Sequence, residues 1–248
     1  MAHEGAIERL DHTRWAPPWT MREHHARYEF ANRFVRGKTV VDCACGDGTS
    51  TAMFAETATR VLGFDSSKEA TDAAQERSNA VISCADATAL PVESHSVDLF
   101  ISLETIEHVD DYAAFLDEIT RVLRDDGMLI CSTPDRDVYS PGNDLLSKPW
   151  NQFHFREWTV CELSALLRQR FQEVTMLGQN QDLPHTTRLK CWLGRRLSTR
   201  LILRMNQAAK IPRFIWERPG KHDIVNRKRG RRYEYSVAIC RGVKRPNS

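Results

Sequence analysis

Residues 38–51 read KTVVDCACGDGTST, and their sequence sets the fold. A short apolar run stops at Gly46-Asp47-Gly48, and TSTAMFAETA (49–58) follows with helical character. A short apolar run bounded by turn residues fits a strand buried on both faces. Glycines just beyond it let the backbone approach a ligand more closely than a Cβ allows. Ala44 stands where a full G-x-G-x-x-G pattern has its first glycine, and Ser50 and Thr51 follow the second pair.

The same unit repeats outward from this point. RVLGFD (60–65) reads as a second strand, SKEATDAAQERS (67–78) as a helix, AVISCAD (80–86) as a third strand and SVDLFISLE (96–104) as a fourth. The helix DDYAAFLDEITRVLR (110–124) and a fifth strand, GMLICSTP (127–134), complete the series. Strands alternating with amphipathic helices predict a doubly wound α/β fold with a parallel sheet and helices on both faces. Ligands of such sheets bind beyond the carboxyl ends of the strands, where strand order reverses. Asp65, 17 residues past Gly48, suits a carboxylate accepting both hydroxyls of a ribose. Asp86-Ala87, ending the third strand, suits the exocyclic amine of an adenine. The competing role for Asp65 and Asp86 is N-capping of whatever follows them.

Before the series, residues 20–36 read as a helix with Tyr28, Ala31, Phe34 and Val35 on its apolar stripe, ended by Gly37. After it come a helix over Trp158–Phe171, a strand at 172–179 and a last strand at 233–243, YEYSVAICRGV. The expected organisation is one domain over 1–248. It comprises a helical cap (1–36), a cofactor-binding core (37–180), a basic helical insertion (181–232), and the last strand with its tail (233–248). The insertion reads as a substrate lid or a surface-binding element, and seven strands are expected in a mainly parallel sheet.

The chain has 248 residues, enough to bury a large core without disulfide or metal staples. Seven cysteines, at 43, 45, 84, 131, 161, 191 and 240, are an odd set in a sequence whose N-terminus lacks an apolar signal segment. Reduced thiols and a cytoplasmic location are therefore expected, and Cys43-x-Cys45 has no second pair at zinc-site spacing, so no metal site is expected. No run reaches the roughly 18–20 apolar residues of a membrane span. The formal net charge of +2 conceals a split. Residues 1–187 carry 17 Lys+Arg against 30 Asp+Glu, and residues 188–248 carry 18 against 3. The basic end either meets an anionic partner or forms a solvated face that offsets the acidic body.

Taken in order, VVDCACGDGTST, VLGFDSS, CADATALPVESHSVDLFIS, LETIEHVDD, FLDEITRVLRDDGMLICSTP and QEVTMLGQ resemble the class I S-adenosylmethionine-dependent methyltransferases across residues 25–180, together with the last strand. The resemblance implies a Rossmann-like methyltransferase fold and S-adenosyl-L-methionine as cofactor. It places Gly46 and Gly48 under the methionine part, with Asp42, Ala44 and Asp47 nearby. Asp65 and Ser66 fall at the ribose, Asp86 and Ala87 at the adenine, and Leu103 beside the sulfonium, with Arg27 and Tyr28 closing over the cofactor. The stretch ETIEHV…STP…YS…NQFHFREWT…ELSALL is similar to the branch accompanying glycosyltransferases in bacterial polysaccharide and glycolipid assembly.

If the acceptor is a hydroxyl, a histidine base is the usual helper near neutral pH. His108, after the fourth strand, and His154, in NQFHFREWT, are the candidates, with Glu104 and Glu107 as orienting or capping groups. The expected acceptor is a saccharide, a glycolipid or a related small molecule. Residues 189–232 mix Leu, Trp, Ile and Met with Arg, a composition suited to an anionic membrane surface and so to a peripheral place at the inner membrane face. The rivals are an RNA methyltransferase anchored by the basic end and a non-catalytic cofactor-binding regulator. A salt-steep affinity for RNA would favour the first, and binding without turnover the second.

Overall fold

The computed structural model describes residues 18–181 and 222–245. Strands β1 (Thr39–Cys43), β2 (Arg60–Asp65), β3 (Val81–Cys84), β4 (Val97–Leu103) and β5 (Leu123–Pro134) pair in parallel. With β6 (Phe171–Gln181), β7 (Ile224–Asn226) and β8 (Tyr233–Val243) they form one sheet in the order β3-β2-β1-β4-β5-β8-β6-β7. Strand β8 runs antiparallel to both β5 and β6, and β7 antiparallel to β6. The sheet is the doubly wound one expected, and its order reverses between β1 and β4.

Alternation along each strand builds two cores. Val41, Phe100 and Leu129 face α4 (Tyr112–Val122) and α6 (Val160–Arg168) through Phe115, Leu116, Ile119, Leu163 and Leu167. Val40, Leu99, Ile101 and Ile130 face the opposite way, against Phe30 and Ala31 of α1 (Pro18–Asn32) and Phe54 of α2 (Thr49–Ala55). Neighbouring residues of a central strand point to opposite faces, so a run such as Val40-Val41 must be apolar throughout. Helix α3 (Lys68–Arg77) closes a smaller cluster of Ala74, Ile82 and Cys45.

Four expectations need correction. There are eight strands, because β7 adds to the β6 edge with Gly178 opposite Val225. Its three residues are too few to show an alternation. The described end of the basic segment, 222–232, is therefore strand and turn where a helix was expected, and residues 182–221 lie outside the described residues. The first helix stops at Asn32, and residues 33–36 form turns bonded to Phe30 and Ala31 before Gly37 at φ 70°. Helix α6 is shorter than its predicted span, fixed at its start by a Thr159–Glu162 capping box.

Candidate active site

The turn after β1 brings most of the predicted cofactor residues to the carboxyl edge of the sheet. Gly46 has φ 54°, and a Cβ built there meets no atom within 4 Å, so its backbone faces open space. Gly48, at φ 80°, lies against α3, where a Cβ would sit 2.8 Å from that of Ala74. Ala44 also adopts φ 60° and is exposed, so the alanine in the first glycine's place is held in a left-handed conformation. Asp65 ends β2 with both oxygens on backbone amides: Gly46 N donates to Oδ2 at 3.0 Å and Ser67 N to Oδ1 at 2.9 Å. Each oxygen keeps a second lone pair for a ligand hydroxyl.

Other predicted residues are occupied locally. Asp42 is buried and accepts from Ser50 Oγ at 2.8 Å and Thr51 Oγ1 at 2.6 Å, tying β1 to the start of α2. Burial pushes its carboxyl up to about 6. Asp47 accepts from Thr49 N and pairs with Arg77 Nη2 at 3.0 Å. Asp86 is exposed, and the amide and hydroxyl of Thr88 donate to it at 2.8 Å, which holds its carboxyl below the usual range. Ser66 is exposed, whereas Ala87 packs on the first core. Leu103 ends β4 opposite Ser132.

Arg27 is fully buried, with its guanidinium 4.4 Å from the Tyr235 ring and Nη1 donating to Gln179. Its Nε lies 4.0 Å from Glu104 Oε1. Neither Nε nor Nη2 has a hydrogen-bond acceptor among the described residues. A buried cation with unfilled donors suits an anionic group of a ligand. Burial also raises the phenol of the adjacent Tyr28.

The two predicted histidines meet. His108 lies in a 3₁₀ turn (Ile106–His108) just past β4, and His154 in the loop before α6, with ring centroids 4.9 Å apart and planes at 83°. Nδ1 of His108 donates to Phe153 O at 3.1 Å. Nδ1 of His154 donates to Glu157 Oε1 at 2.6 Å, and Asn151 Nδ2 donates to its Nε2 at 3.0 Å. Because a carbonyl and a carboxylate can only accept here, both neutral imidazoles carry their proton on Nδ1. His154 is buried and His108 half-buried, so His108 is the more accessible of the pair.

Glu107, fully buried beside them, accepts from Thr133 Oγ1 at 2.9 Å through Oε2, and its Oε1 has no hydrogen-bond partner among the described residues. Burial, then the charge of Glu104, pushes its carboxyl well above the usual range. Glu104 itself lies just past β4 at φ 54°, with Ser132 Oγ donating to its Oε1 at 2.6 Å. Its Oε1 is also the atom that approaches Arg27 Nε.

Residues 41–131, which span β1 to β5 and this edge, match the family model of a methyltransferase domain. This part of the chain thus resembles a methyltransferase domain, and relatives that share it are named as S-adenosylmethionine-dependent. A relative from Mycolicibacterium smegmatis, named as a probable S-adenosylmethionine-dependent methyltransferase, is 35% identical over 154 residues, 62% of this chain and 59% of the relative. The chain thus spans about three fifths of that relative's length. A ubiquinone biosynthesis O-methyltransferase of Cereibacter sphaeroides is 28% identical over 119 residues, 46% of this chain and 48% of that protein. Among solved structures, a methyltransferase of Thermotoga maritima, titled as a possible histamine N-methyltransferase, aligns with a TM-score of 0.62. It covers 92% of this chain and 93% of its own at 17% identity, a likeness of fold alone.

Sequence reading did not single out two residues of the histidine cluster, Asn151 and Glu157. The spacing His154-x-x-Glu157 was a local cue, but only the packing of the 151–157 loop against the end of β4 gives it meaning. Phe155 N, for example, donates to Glu107 O at 2.8 Å.

Proposed function

We propose that the protein is an S-adenosylmethionine-dependent O-methyltransferase acting on a saccharide, a glycolipid or a related small hydroxyl compound. When bound, the cofactor supplies an activated methyl group, so the protein mainly binds, orients and excludes water. Asp65 would hold the ribose, the Gly46–Gly48 backbone the methionine part, and the unfilled donors of Arg27 the cofactor's carboxylate.

The observation that carries the reading is the pair of histidines at the carboxyl edge of β4, next to the strand whose following turn forms the cofactor cradle. A hydroxyl acceptor needs a site for its proton, and a methyl acceptor that is already a free amine has less need of one. His108, the more accessible ring, receives that proton on Nε2, and His154 positions it through the edge-to-face contact. The name of the Cereibacter relative supports oxygen as the acceptor atom, and the NQFHFREWT stretch supports a saccharide.

The basic end supports a partner of negative charge. Lys228, Arg229, Arg231 and Arg232 are exposed in the turn before β8, and Arg232 Nη1 donates to Asp137 O just past β5. That turn therefore lies on the same side of the sheet as the histidines, where it favours docking on an anionic membrane surface that carries lipid-linked saccharide. No helix among the described residues is long and apolar enough to cross a membrane.

The test supplies cofactor with a labelled methyl group to a lysate of the native host and follows label into lipid, polysaccharide, RNA, protein and small-molecule fractions. Label in glycolipid or polysaccharide, lost with His108→Ala, is the expected result. Label in RNA makes the basic turn a nucleic-acid anchor and overturns the acceptor. Cofactor binding with no label in any fraction favours a regulator.

A further inference from the structure

We propose that Glu107, His108 and His154 form a site for one divalent transition-metal ion, which holds and activates the acceptor's hydroxyl. The inference rests on the hydroxyl-acceptor reading above for its role, but not for its existence.

One potential ligand atom from each of the three residues can be chosen so that all lie within 4.8 Å of one another. Around a bound ion, with bonds of about 2.0–2.2 Å, ligand atoms sit roughly 3–3.5 Å apart. Small side-chain rotations close that difference. The independent observation is the carboxylate. Among the described residues, Oε1 of Glu107 is buried with no hydrogen-bond partner, while Thr133 holds Oε2. A second carboxylate oxygen, Glu157 Oε2, is also buried without a partner among the described residues. Leaving such acceptors unsatisfied in a protein interior is costly, and a cation is the group they lack.

The surrounding bonds are those a metal centre uses. Each histidine donates its Nδ1–H to an oxygen, Phe153 O for His108 and Glu157 Oε1 for His154. Such a second layer fixes the tautomer, makes Nε2 the atom that would ligate the ion and raises its basicity. In the loaded state the ion takes the place of the Asn151 amide at His154 Nε2. Two imidazoles and one carboxylate favour Zn²⁺, Co²⁺ or Mn²⁺ over Mg²⁺, which prefers oxygen ligands, and three protein ligands leave a position open. An acceptor hydroxyl entering that position loses its proton to solvent more easily. The two states make opposite demands on His108, which acts as the base when the site is empty and as a ligand when it is loaded.

Isothermal titration of the EDTA-treated full chain with Co²⁺, Zn²⁺, Mn²⁺ and Mg²⁺ tests the site directly. One Co²⁺ per chain is expected, with the visible ligand-field absorption of nitrogen ligation. His108→Asn should abolish binding, and Glu157→Gln should weaken it 10–100-fold. Should Glu107→Gln fail to fold, the half-exposed His108 variant still decides the matter, with cofactor affinity as the control for folding. No titratable ion, or binding unchanged in His108→Asn, overturns the site. Stoichiometric binding without labelled glycan overturns the acceptor reading and leaves the site. Full glycan methylation by chelated protein that binds no ion does the reverse.

Discussion

At the scale of single residues, the cofactor turn is held in uncommon backbone conformations. Ala44 and Glu104, just past the adjacent strands β1 and β4, have φ 60° and 54°. A left-handed L-residue costs roughly 1–2 kcal/mol, partly offset in glycine by its greater unfolded-state entropy. Ala44→Gly is expected to stabilise the protein by about 1 kcal/mol, because the exposed methyl group buries nothing. Thermal denaturation should show a midpoint about 2–4 °C higher; a lower midpoint would mean that the methyl group makes a contact that offsets the strain. Asp65→Ala removes a charged acceptor, and a hydrogen bond to a charged group contributes about 1.5–3 kcal/mol. Cofactor affinity measured by calorimetry should fall at least about tenfold; unchanged affinity would remove Asp65 from the ribose site. The sequence showed both positions, but not that Asp65 is aimed by Gly46 N and Ser67 N while Asp86 is engaged with Thr88.

Among the elements, α1 shows why a stripe of apolar residues can leave part of a buried face unread. Its buried face runs through Glu23, Arg27, Phe30 and Ala31, at helical spacing, and two of these four are charged. Of the stripe expected from Tyr28, Ala31, Phe34 and Val35, Ala31 and Val35 are buried and Phe34 packs on the same core, but it omits Glu23 and Arg27, since sequence alone gives no partners for buried charges. Those partners, Gln179 and Asn180 on β6 and Tyr235 on β8, lie over 150 residues away. Helix α6 is the opposite case, with its start written locally. Thr159 Oγ1 accepts from Glu162 N at 3.3 Å, and Thr159 N donates to Glu162 Oε2 at 2.8 Å. Glu162 is held further by Arg136 Nη2 at 2.7 Å. Thr159→Ala should cost about 1 kcal/mol, visible as a lower midpoint in urea with an unchanged slope. A changed slope would point to a wider rearrangement of the loop that carries His154.

At the scale of the molecule, the network joining α1 to the far strands makes stability depend on pH. Asn180 Nδ2 donates to Glu23 Oε1 at 2.6 Å and Tyr235 Oη to Oε2 at 3.3 Å, yet burial, then the charge of Glu234, pushes Glu23 up to about 7. A carboxyl whose pKa is higher in the folded state binds more protons there than in the unfolded chain. Its contribution is fully present below the unfolded value near 4.5 and is lost as pH rises toward 7. Glu23→Gln, which keeps the shape and most of the hydrogen bonding, should flatten the fall in stability between pH 5 and 7. The gain near pH 7 should be about 2 kcal/mol. Parallel curves for the two proteins would show that Glu23 titrates normally. Asp42, raised to about 6, slopes the same way in both proteins, so the difference between the curves isolates Glu23.

The order of β1 to β5, the glycine turn at their edge and the last strand at 233–243 were determined by sequence, because each follows from periodicity and turn chemistry within about ten residues. The tertiary structure alone decided the place of β8 between β5 and β6, the added β7, the buried charges of α1 and the meeting of Glu107, His108 and His154. Each of these depends on groups far apart in the chain, brought together by the packing of the sheet. Neither a short strand nor a buried carboxylate carries a local signal of the partner that will satisfy it.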